Sequence, residues 1–383
     1  MRLALLSLSA ALFVSACNVD VSKGDQEAAD SGSKVATSDP LASHDLKIGE
    51  PLPAELADDK PRPVMQQQVV LDRLGFTPGV IDGKGGLSTA NAINGFQEAN
   101  GLSITGKIDE ATALALAQWN NIPATRVVTI PDTFAAGPFS PIPANAADQA
   151  KLPALGYESL DEKLAERFHT TVETLQELNP KLTQAAGAPT VSAAGQAMPT
   201  AAAPLFRAGQ QVRVPNTGAD KIEAGAVKDA DWQETLAALG VGTPGLQAAR
   251  IVVSKSKGTL KAYNAADKLI GIYTATTGSR RDPLPLGEWK ITGVAYNPPF
   301  SYNPKLFWDV PDSHEKQLLP PGPNGPVGVA WIDLSKEHYG IHGTPEPQTI
   351  GRAESHGCVR LTNWDVARLS EMVSSKTRVL FEA

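Results

Sequence analysis

Cysteine is nearly absent from this 383-residue chain, with Cys17 and Cys358 the only two. Two thiols cannot build the disulfide framework of a small secreted scaffold. Basic residues fall short of acidic ones, 34 Lys and Arg against 41 Asp and Glu, for a formal net charge of −7. That balance removes the electrostatic reason to expect nucleic acid as a partner. No apolar run reaches the roughly 20 residues that a mature membrane-spanning helix needs. Serine-type acyl transfer lacks support too. Ser31/Lys34, Ser254/Lys257 and Ser313/Lys316 each match Ser-x-x-Lys, but no Lys-Thr-Gly accompanies them. Glycine (33) and proline (30) are plentiful, which favours loops and linkers over long helices. The length exceeds one ordinary core, so two or three domains are expected.

The N-terminus reads as an export signal over residues 1–16: a positive Met1-Arg2, an apolar run from Leu3 to Val14, then Ser15 and Ala16. Val14-Ser15-Ala16-Cys17 resembles the bacterial lipobox. The resemblance implies that Cys17 is diacylated and becomes the new N-terminus; plain secretion, with Cys17 removed or free, is the alternative. Residues 17–60 are polar and poor in large apolar groups, a flexible tether with a span of about 35 Å. With Cys17 lipidated, Cys358 is a lone thiol in an oxidising compartment, a liability unless it does chemistry.

Residues 61–120 read as a small all-α unit. A helix runs from Val64 to Leu74 and stops at Gly75; Ser88 is placed to N-cap a second helix carrying Ile93 and Phe96; Asp109 or Glu110 opens a third that runs to Trp119. Asp82 reads first as a turn aspartate satisfying its own backbone, with ligand binding the alternative. The unit resembles the peptidoglycan-binding repeat of bacterial wall enzymes, through Leu74-Gly75-Phe76, Ile81-Asp82-Gly83, Phe96-Gln97 and Thr105-Gly106-Lys107-Ile108-Asp109. Within residues 121–218, Glu162–Phe168 and Val172–Asn179 suggest short helices and Ala208–Asn216 a closing strand. This mixed α/β segment resembles a lysin motif, which binds glycan. It departs from the pattern in lacking the opening Gly-Asp-Thr and in the Thr183–Pro204 interruption, and a structural spacer with a lysin-motif-like core is the alternative.

Residues 249–383 turn mainly β. Arg250–Ser254 and Thr259–Tyr263 alternate around a Lys257-Gly258 turn; Leu269–Thr277, Gly287–Val294 and Val327–Leu334 continue the pattern, and a helix runs from about Trp364 to Ser374. Loops at Asn297-Pro298-Pro299 and Pro320-Pro321-Gly322-Pro323 are expected to be longer than tight turns and to shape a cleft. Tyr302, Phe307 and Trp308 either line that cleft or pack.

The chemistry concentrates in Ile341-His342-Gly343-Thr344 and Ser355-His356-Gly357-Cys358-Val359-Arg360-Leu361. A cysteine needs a base to become nucleophilic, and His342 and His356 both lie near in sequence. Gly343 and Gly357 allow close backbone approach, and the Gly357–Cys358 peptide can present N–H groups to an oxyanion. Arg360 can hold a carboxylate. A zinc site from His342, His356 and Cys358 lacks a fourth ligand and paired spacing; a buried inert cysteine is the other alternative. The segment resembles the L,D-transpeptidase signature, with Thr277-Gly278, Pro285-Leu286-Gly287 and Gly328 fitting around it. The resemblance implies Cys358 as nucleophile and His342 as general acid/base oriented by the Gly343 carbonyl. It further implies that Ser355, His356, Gly357 and Arg360 support substrate and oxyanion. A Cys358 pKa below the ordinary value, through an imidazolium partner, is expected. His44, His169, His314 and His338 fall outside the motif and read as ordinary.

The implied function is attack on the third residue of a peptidoglycan tetrapeptide stem, release of D-alanine, and transfer to an amine; water as acceptor, or a non-catalytic wall-binding lipoprotein, are the alternatives. The implied partners are stem peptides, glycan and, through the anchor, a membrane, with no cofactor and no metal. A monomer facing the periplasm or wall is expected, held at the outer membrane if the organism has two, because Asn18 is not the aspartate that the resemblance associates with inner-membrane retention.

Overall fold

Pro63 opens the first helix, α1 (Pro63–Arg73), where a missing N–H costs nothing. Gly75 follows it at φ 85°. α2 spans Leu87–Ala99, and α3 spans Glu110–Leu116, where the Asp109 side chain accepts from the Thr112 N–H at 2.9 Å. Ser88 does not cap α2: the cap and the helix start lie two residues earlier, Gly86 occupies the N-cap without a side-chain bond, and Ser88 lies in the first turn. Asp82 is a turn aspartate, its Oδ1 accepting from the Lys84 N–H at 2.8 Å and the Gln68 amide at 3.2 Å.

The computed structural model describes residues 58, 60–182, 204–218, 222–243, 245–307, 310–311 and 313–383. The 1–16 signal, Cys17, almost all of the tether, Thr183 onward in the interruption, and Trp308 lie outside them. Among the described residues no helix is long and apolar enough to cross a membrane.

The middle segment is a two-stranded antiparallel ribbon; among the described residues between its strands are two single-turn helices (Asp132–Ala135 and Ala146–Gln149) and two longer ones. β1 (Thr125–Thr129) pairs with β2 (Gln211–Pro215) in the register Thr125↔Pro215. α4 (Leu160–Arg167) and α5 (Val172–Leu178) are capped by Ser159 and Thr171, which accept from the Glu162 and Thr174 N–H groups. Ile130, Leu164, Phe168, Leu175, Phe206 and Val214 close its core. The helices and closing strand fall where expected. β1 was not among the expected elements, although Arg126-Val127-Val128-Thr129-Ile130 carries a β-branched run.

The C-terminal part is a nine-stranded sheet built from β3 (Arg250–Ser254), β4 (Thr259–Tyr263), β5 (Leu269–Thr274), β6 (Thr276–Thr277), β7 (Gly287–Tyr296), β10 (Ala330–Leu334), β11 (Gly340–His342), β12 (Val359–Arg360) and β13 (Arg378–Glu382). A separate hairpin pairs β8 (Phe300–Tyr302) with β9 (Gln317–Leu319). The sheet order is β5-β4-β3-β13-β7-β10-β11-β12-β6. β5 and β6 stand at opposite ends of that order, yet only Ala275 separates them in the chain. The sheet must therefore curl almost to a barrel.

α6 (Ala230–Leu239), which precedes the expected 249–383 domain, adds Trp232, Leu236 and Leu239 to its core, and the Trp232 indole donates to Glu371 at 2.7 Å. One expectation is corrected. The Asn297-Pro298-Pro299 connection is a tight turn between β7 and β8, made possible by Asn297 at φ 45°, a region Asn tolerates better than most residues.

The modules are joined by backbone and by buried charge. The Ile272 carbonyl on edge strand β5 accepts from the Thr77 N–H at 3.0 Å, and the Ile272 N–H donates to Gly75 O at 3.3 Å, so the helical module covers an open sheet edge. Gly95 on α2 lets that helix close in, since a Cβ there would stand 2.3 Å from the Ile272 side chain. Behind α7 (Asn363–Ser370), His169 Nδ1 bonds Asp72 at 3.1 Å, its Nε2 meets the Leu239 carbonyl at 3.0 Å, and its ring stacks on Trp364 at 5.1 Å. The Arg368 guanidinium meets Asp72 as well, at 3.4 Å. Burial opposes the Asp72 charge, but His169 and Arg368 outweigh it and hold the carboxyl well below the usual range. His169 is thus the centre of a joint between three segments rather than an ordinary histidine.

Nearby carboxyls move the other way. Burial pushes Glu166 up to about 8 and Asp365 up to about 6. The folded state keeps protons there that the unfolded chain, with ordinary values of 4.5 and 3.8, has already released. Their contribution is complete below those unfolded values and is lost as pH rises through the folded ones; the Asp72 contribution is present above 3.8 and lost on acidification. The melting temperature should therefore rise as pH is lowered from about 8.5 to about 5, then fall below about pH 3.5. Glu166→Gln should flatten the upper slope. A melting temperature that climbs from pH 5 to pH 8 would contradict this arrangement.

Candidate active site

The chemical residues lie on three neighbouring strands. Trp331 on β10 is paired with His342 on β11, and His342 with Arg360 on β12. β11 and β12 run parallel, with Ile341 beside Val359. Extending that register by one residue sets Cys358 beside Gly340. Residues paired across a ladder project to one face of the sheet, so His342 and Arg360 share a face, and Cys358 stands in the bend that leads into β12.

His342 is buried, at 4% exposure, and stacks on the Trp331 indole at 5.3 Å and 18°. Its Nδ1 lies 2.7 Å from the Gly343 carbonyl. A carbonyl can only accept, so Nδ1 carries the proton and Nε2 keeps a free lone pair. Gly343 allows this because a Cβ there would come within 2.2 Å of Asn363 Oδ1. Its own N–H donates to Val327 O at 3.0 Å.

Cys358 is half-buried and free. Its thiol donates to the His338 carbonyl at 3.7 Å, and the Gly340 N–H points to the sulfur. Gly357 holds φ 104°, and a Cβ on it would collide with the Tyr339 ring at 2.6 Å. The buried Ser355 hydroxyl donates to Cys358 O at 2.6 Å, closing the turn that presents the thiol. Phe307 meets His356 edge-on at 5.1 Å and stacks on Tyr302 at 5.8 Å, so these two aromatics stand beside the site. Among the described residues no carboxylate pairs with Arg360, and its Nε is buried without a hydrogen bond.

The electrostatics overturn one expectation. Burial pushes the Cys358 thiol above its ordinary 9.0, against the lowering pull of Gly340 N–H and Arg360. Burial, reinforced by the Arg360 guanidinium, pushes His342 down to about 4, although the Gly343 carbonyl resists. The resting pair is a neutral thiol and a neutral imidazole, not a thiolate beside an imidazolium. The sequence showed the two residues but not the burial that decides their charge.

Comparison with known proteins bears on what this arrangement is. A family model described as L,D-transpeptidase catalytic domain matches residues 248–380, and one described as "Putative peptidoglycan binding domain" matches residues 62–116. "Putative L,D-transpeptidase YkuD" of Bacillus licheniformis is 35% identical over 140 residues, 37% of this chain and 69% of the relative. The chain belongs to the L,D-transpeptidase family. "Putative L,D-transpeptidase YqjB" of Bacillus subtilis is 30% identical over 34% of this chain and 69% of its own length. A crystal structure of L,D-transpeptidase 3 from Mycobacterium tuberculosis, in complex with a faropenem-derived adduct, aligns at 16% identity and TM-score 0.29. That alignment covers 35% of this chain and 60% of the other, under two thirds of its length.

The transpeptidase domain thus gathers Cys358, His342, Gly343, Ser355, His356, Gly357 and Arg360 into one region. It also recruits residues the motif did not single out. His338 contributes its carbonyl to the thiol, and Tyr339 walls the Gly357 turn. Both are contiguous with Gly340-Ile341-His342, the only signal that would have marked them. Cys358 alkylation by iodoacetamide, followed by peptide mass spectrometry, should show a midpoint above pH 9 in the free L,D-transpeptidase. Arg360→Ala should move it higher still, because a stabilising cation is removed. A wild-type midpoint below about pH 8 would restore the thiolate–imidazolium pair.

Proposed function

We propose that this L,D-transpeptidase uses Cys358 to attack the carbonyl of the third residue of a peptidoglycan tetrapeptide stem. The observation that carries the reading is the His342 Nδ1 bond to Gly343 O, which leaves Nε2 as a base on the strand paired with β12, whose entry carries Cys358. Since thiol and imidazole both start neutral, the S–H proton passes to His342 Nε2 as the sulfur–carbon bond forms. The oxyanion is met by backbone N–H groups of the Gly357–Cys358 turn. Its collapse breaks the bond to the terminal D-alanine, and His342 returns the proton to the leaving amine. The thioester then passes to an acceptor amine, which loses a proton to His342 as Cys358 is released as the thiol. An imidazole held neutral is suited to both halves, since it can take a proton and give it back. Arg360, without a carboxylate of its own, is placed to hold one from the substrate.

The reading extends to placement. Lipidated Cys17 anchors an exported monomer to a membrane, the outer one where two exist. Two acyl chains are needed for stable attachment. The peptidoglycan-binding domain holds the enzyme at the wall. The acceptor is a second stem, giving a 3→3 cross-link, or another amine.

Purified disaccharide-tetrapeptide should yield D-alanine and a cross-linked dimer by mass spectrometry. Cys358→Ala should abolish both. His342→Ala should lower the rate by about 10²–10⁴-fold. Hydrolysed tripeptide without dimer would reassign the acceptor to water. D-alanine release by Cys358→Ala would refute the nucleophile. The mature N-terminus should carry the mass of a diacylated cysteine; an unmodified N-terminus would refute the anchor.

A further inference from the structure

Glu166 belongs to α4 in the middle segment, far from the motif in sequence, and is buried at 6% exposure. Its Oε2 accepts from the Tyr157 hydroxyl at 2.9 Å, and its Oε1 accepts from the Asn363 amide at 2.8 Å. Asn363 is itself buried at 0% and fully engaged. Its Nδ2 donates a second time to Pro323 O at 3.0 Å, and its Oδ1 accepts from the Val329 N–H at 3.3 Å. Two glycines press against that Oδ1. A Cβ would stand 1.9 Å from it at Gly328 and 2.2 Å from it at Gly343. Gly343 supplies the carbonyl that holds His342 Nδ1. An unbroken line of contacts therefore runs from a carboxyl of the middle segment to the imidazole: Glu166, Asn363, Gly343, His342.

The same segment grips the site a second time. The Leu155 N–H donates to Pro321 O at 2.8 Å, the Asn324 N–H donates to Leu155 O at 3.0 Å, and the Asn324 amide donates to Gly156 O at 3.0 Å. Gly322 fits only because it has no side chain: a Cβ would lie 2.1 Å from Leu155 O. This loop leads from the β8–β9 hairpin, whose Phe307-bearing connection touches His356, to β10, which carries Trp331.

We infer that Glu166 is a positioning residue for His342, acting through Asn363 and Gly343, and that the middle segment forms a fixed wall of the catalytic site. This rests on the reading of His342 as the acid/base of the transpeptidase. The physical argument is one of tautomer and aim. Without Glu166, the Asn363 Nδ2 loses one of the two acceptors it donates to, and the amide can turn. The Gly343 peptide then loses the surface it leans on, and its carbonyl no longer fixes the proton on Nδ1. The Nε2 lone pair is then no longer held ready for the thiol proton. Misaiming a base by about an ångström costs up to about a hundredfold in rate. A carboxyl is not needed for its charge, since burial pushes Glu166 up to about 8 and leaves it neutral at pH 7. A glutamine, whose amide oxygen also accepts, should therefore replace it.

The test compares full-length wild type, Glu166→Met, Glu166→Gln and His342→Ala. Met keeps the volume and removes the acceptor. The readouts are D-alanine release from the tetrapeptide donor, thermal melting, and the imidazole ¹⁵N signals of histidine-labelled protein, which report the tautomer. Wild type should show His342 as the Nδ1–H tautomer. Glu166→Met should remain folded, lose about tenfold to a hundredfold in kcat with little change in KM, and show His342 averaged between tautomers. Glu166→Gln should recover both rate and tautomer. If Glu166→Met does not fold, Glu166→Asp takes its place, its carboxyl drawn back by one methylene. Wild-type rate and tautomer in Glu166→Met, or equal losses in Gln and Met, would overturn the inference. Full activity in His342→Ala would instead overturn the functional reading beneath it, so the two failures are separable.

Discussion

A completely buried amide, Asn363, sits where the loop before β10, the end of β11 and α4 meet, and the geometry of His342 depends on how it is satisfied. A buried polar group left without a partner costs about 1–3 kcal/mol, so an amide in this place must have its donors and acceptor met. Meeting them fixes the positions of Val329, Pro323 and Glu166 at once. It also dictates glycine at 328 and 343, because the amide oxygen occupies the volume any side chain there would need. From that clamp follow the direction of the Gly343 carbonyl, the proton on His342 Nδ1 and the free Nε2. The Trp331 stack and the Arg360 charge then keep the imidazole buried and neutral.

The same economy governs the joints between modules. Asp72, His169 and Arg368 bring an ionisable group each from α1, the middle segment and α7 into one buried cluster. Burying charges costs several kcal/mol per ion unless partners and hydrogen bonds are well placed. Such a cluster tolerates one arrangement of the three segments and penalises others. The peptidoglycan-binding domain also extends the catalytic sheet through the Thr77 and Ile272 backbones. The module thus meets the catalytic domain through that domain's edge strand β5.

Much of this was legible in the sequence, for identifiable reasons. Strands β3 and β4 were readable from alternation and the Lys257-Gly258 turn, the α4 and α5 helices from short local patterns, and the His342–Cys358 region from residue types that need each other. Local turn chemistry placed Asp82 correctly. The misses are nonlocal or depend on burial. Ser88 lost its cap to Gly86 by a two-residue shift in the start of α2. Trp232 joins the catalytic core through Glu371, far along the chain. Glu166 and His169 carry no motif; their importance comes from Asn363, Asp72 and Trp364, which only the fold brings near. The protonation of Cys358 and His342 was misjudged because proximity favours an ion pair while burial disfavours it, and burial is invisible in a motif.

Acyl transfer through Cys358 requires a thioester on its sulfur. The full-length enzyme is mixed with tetrapeptide donor in the absence of an amine acceptor, quenched in acid within the first turnover, digested and mapped by mass spectrometry. The expected result is a tripeptidyl acyl group on the peptide containing Cys358, removable by hydroxylamine, in amounts that match the D-alanine released. D-alanine released in a full burst with Cys358 unmodified, or an acyl group found on another residue, would contradict it.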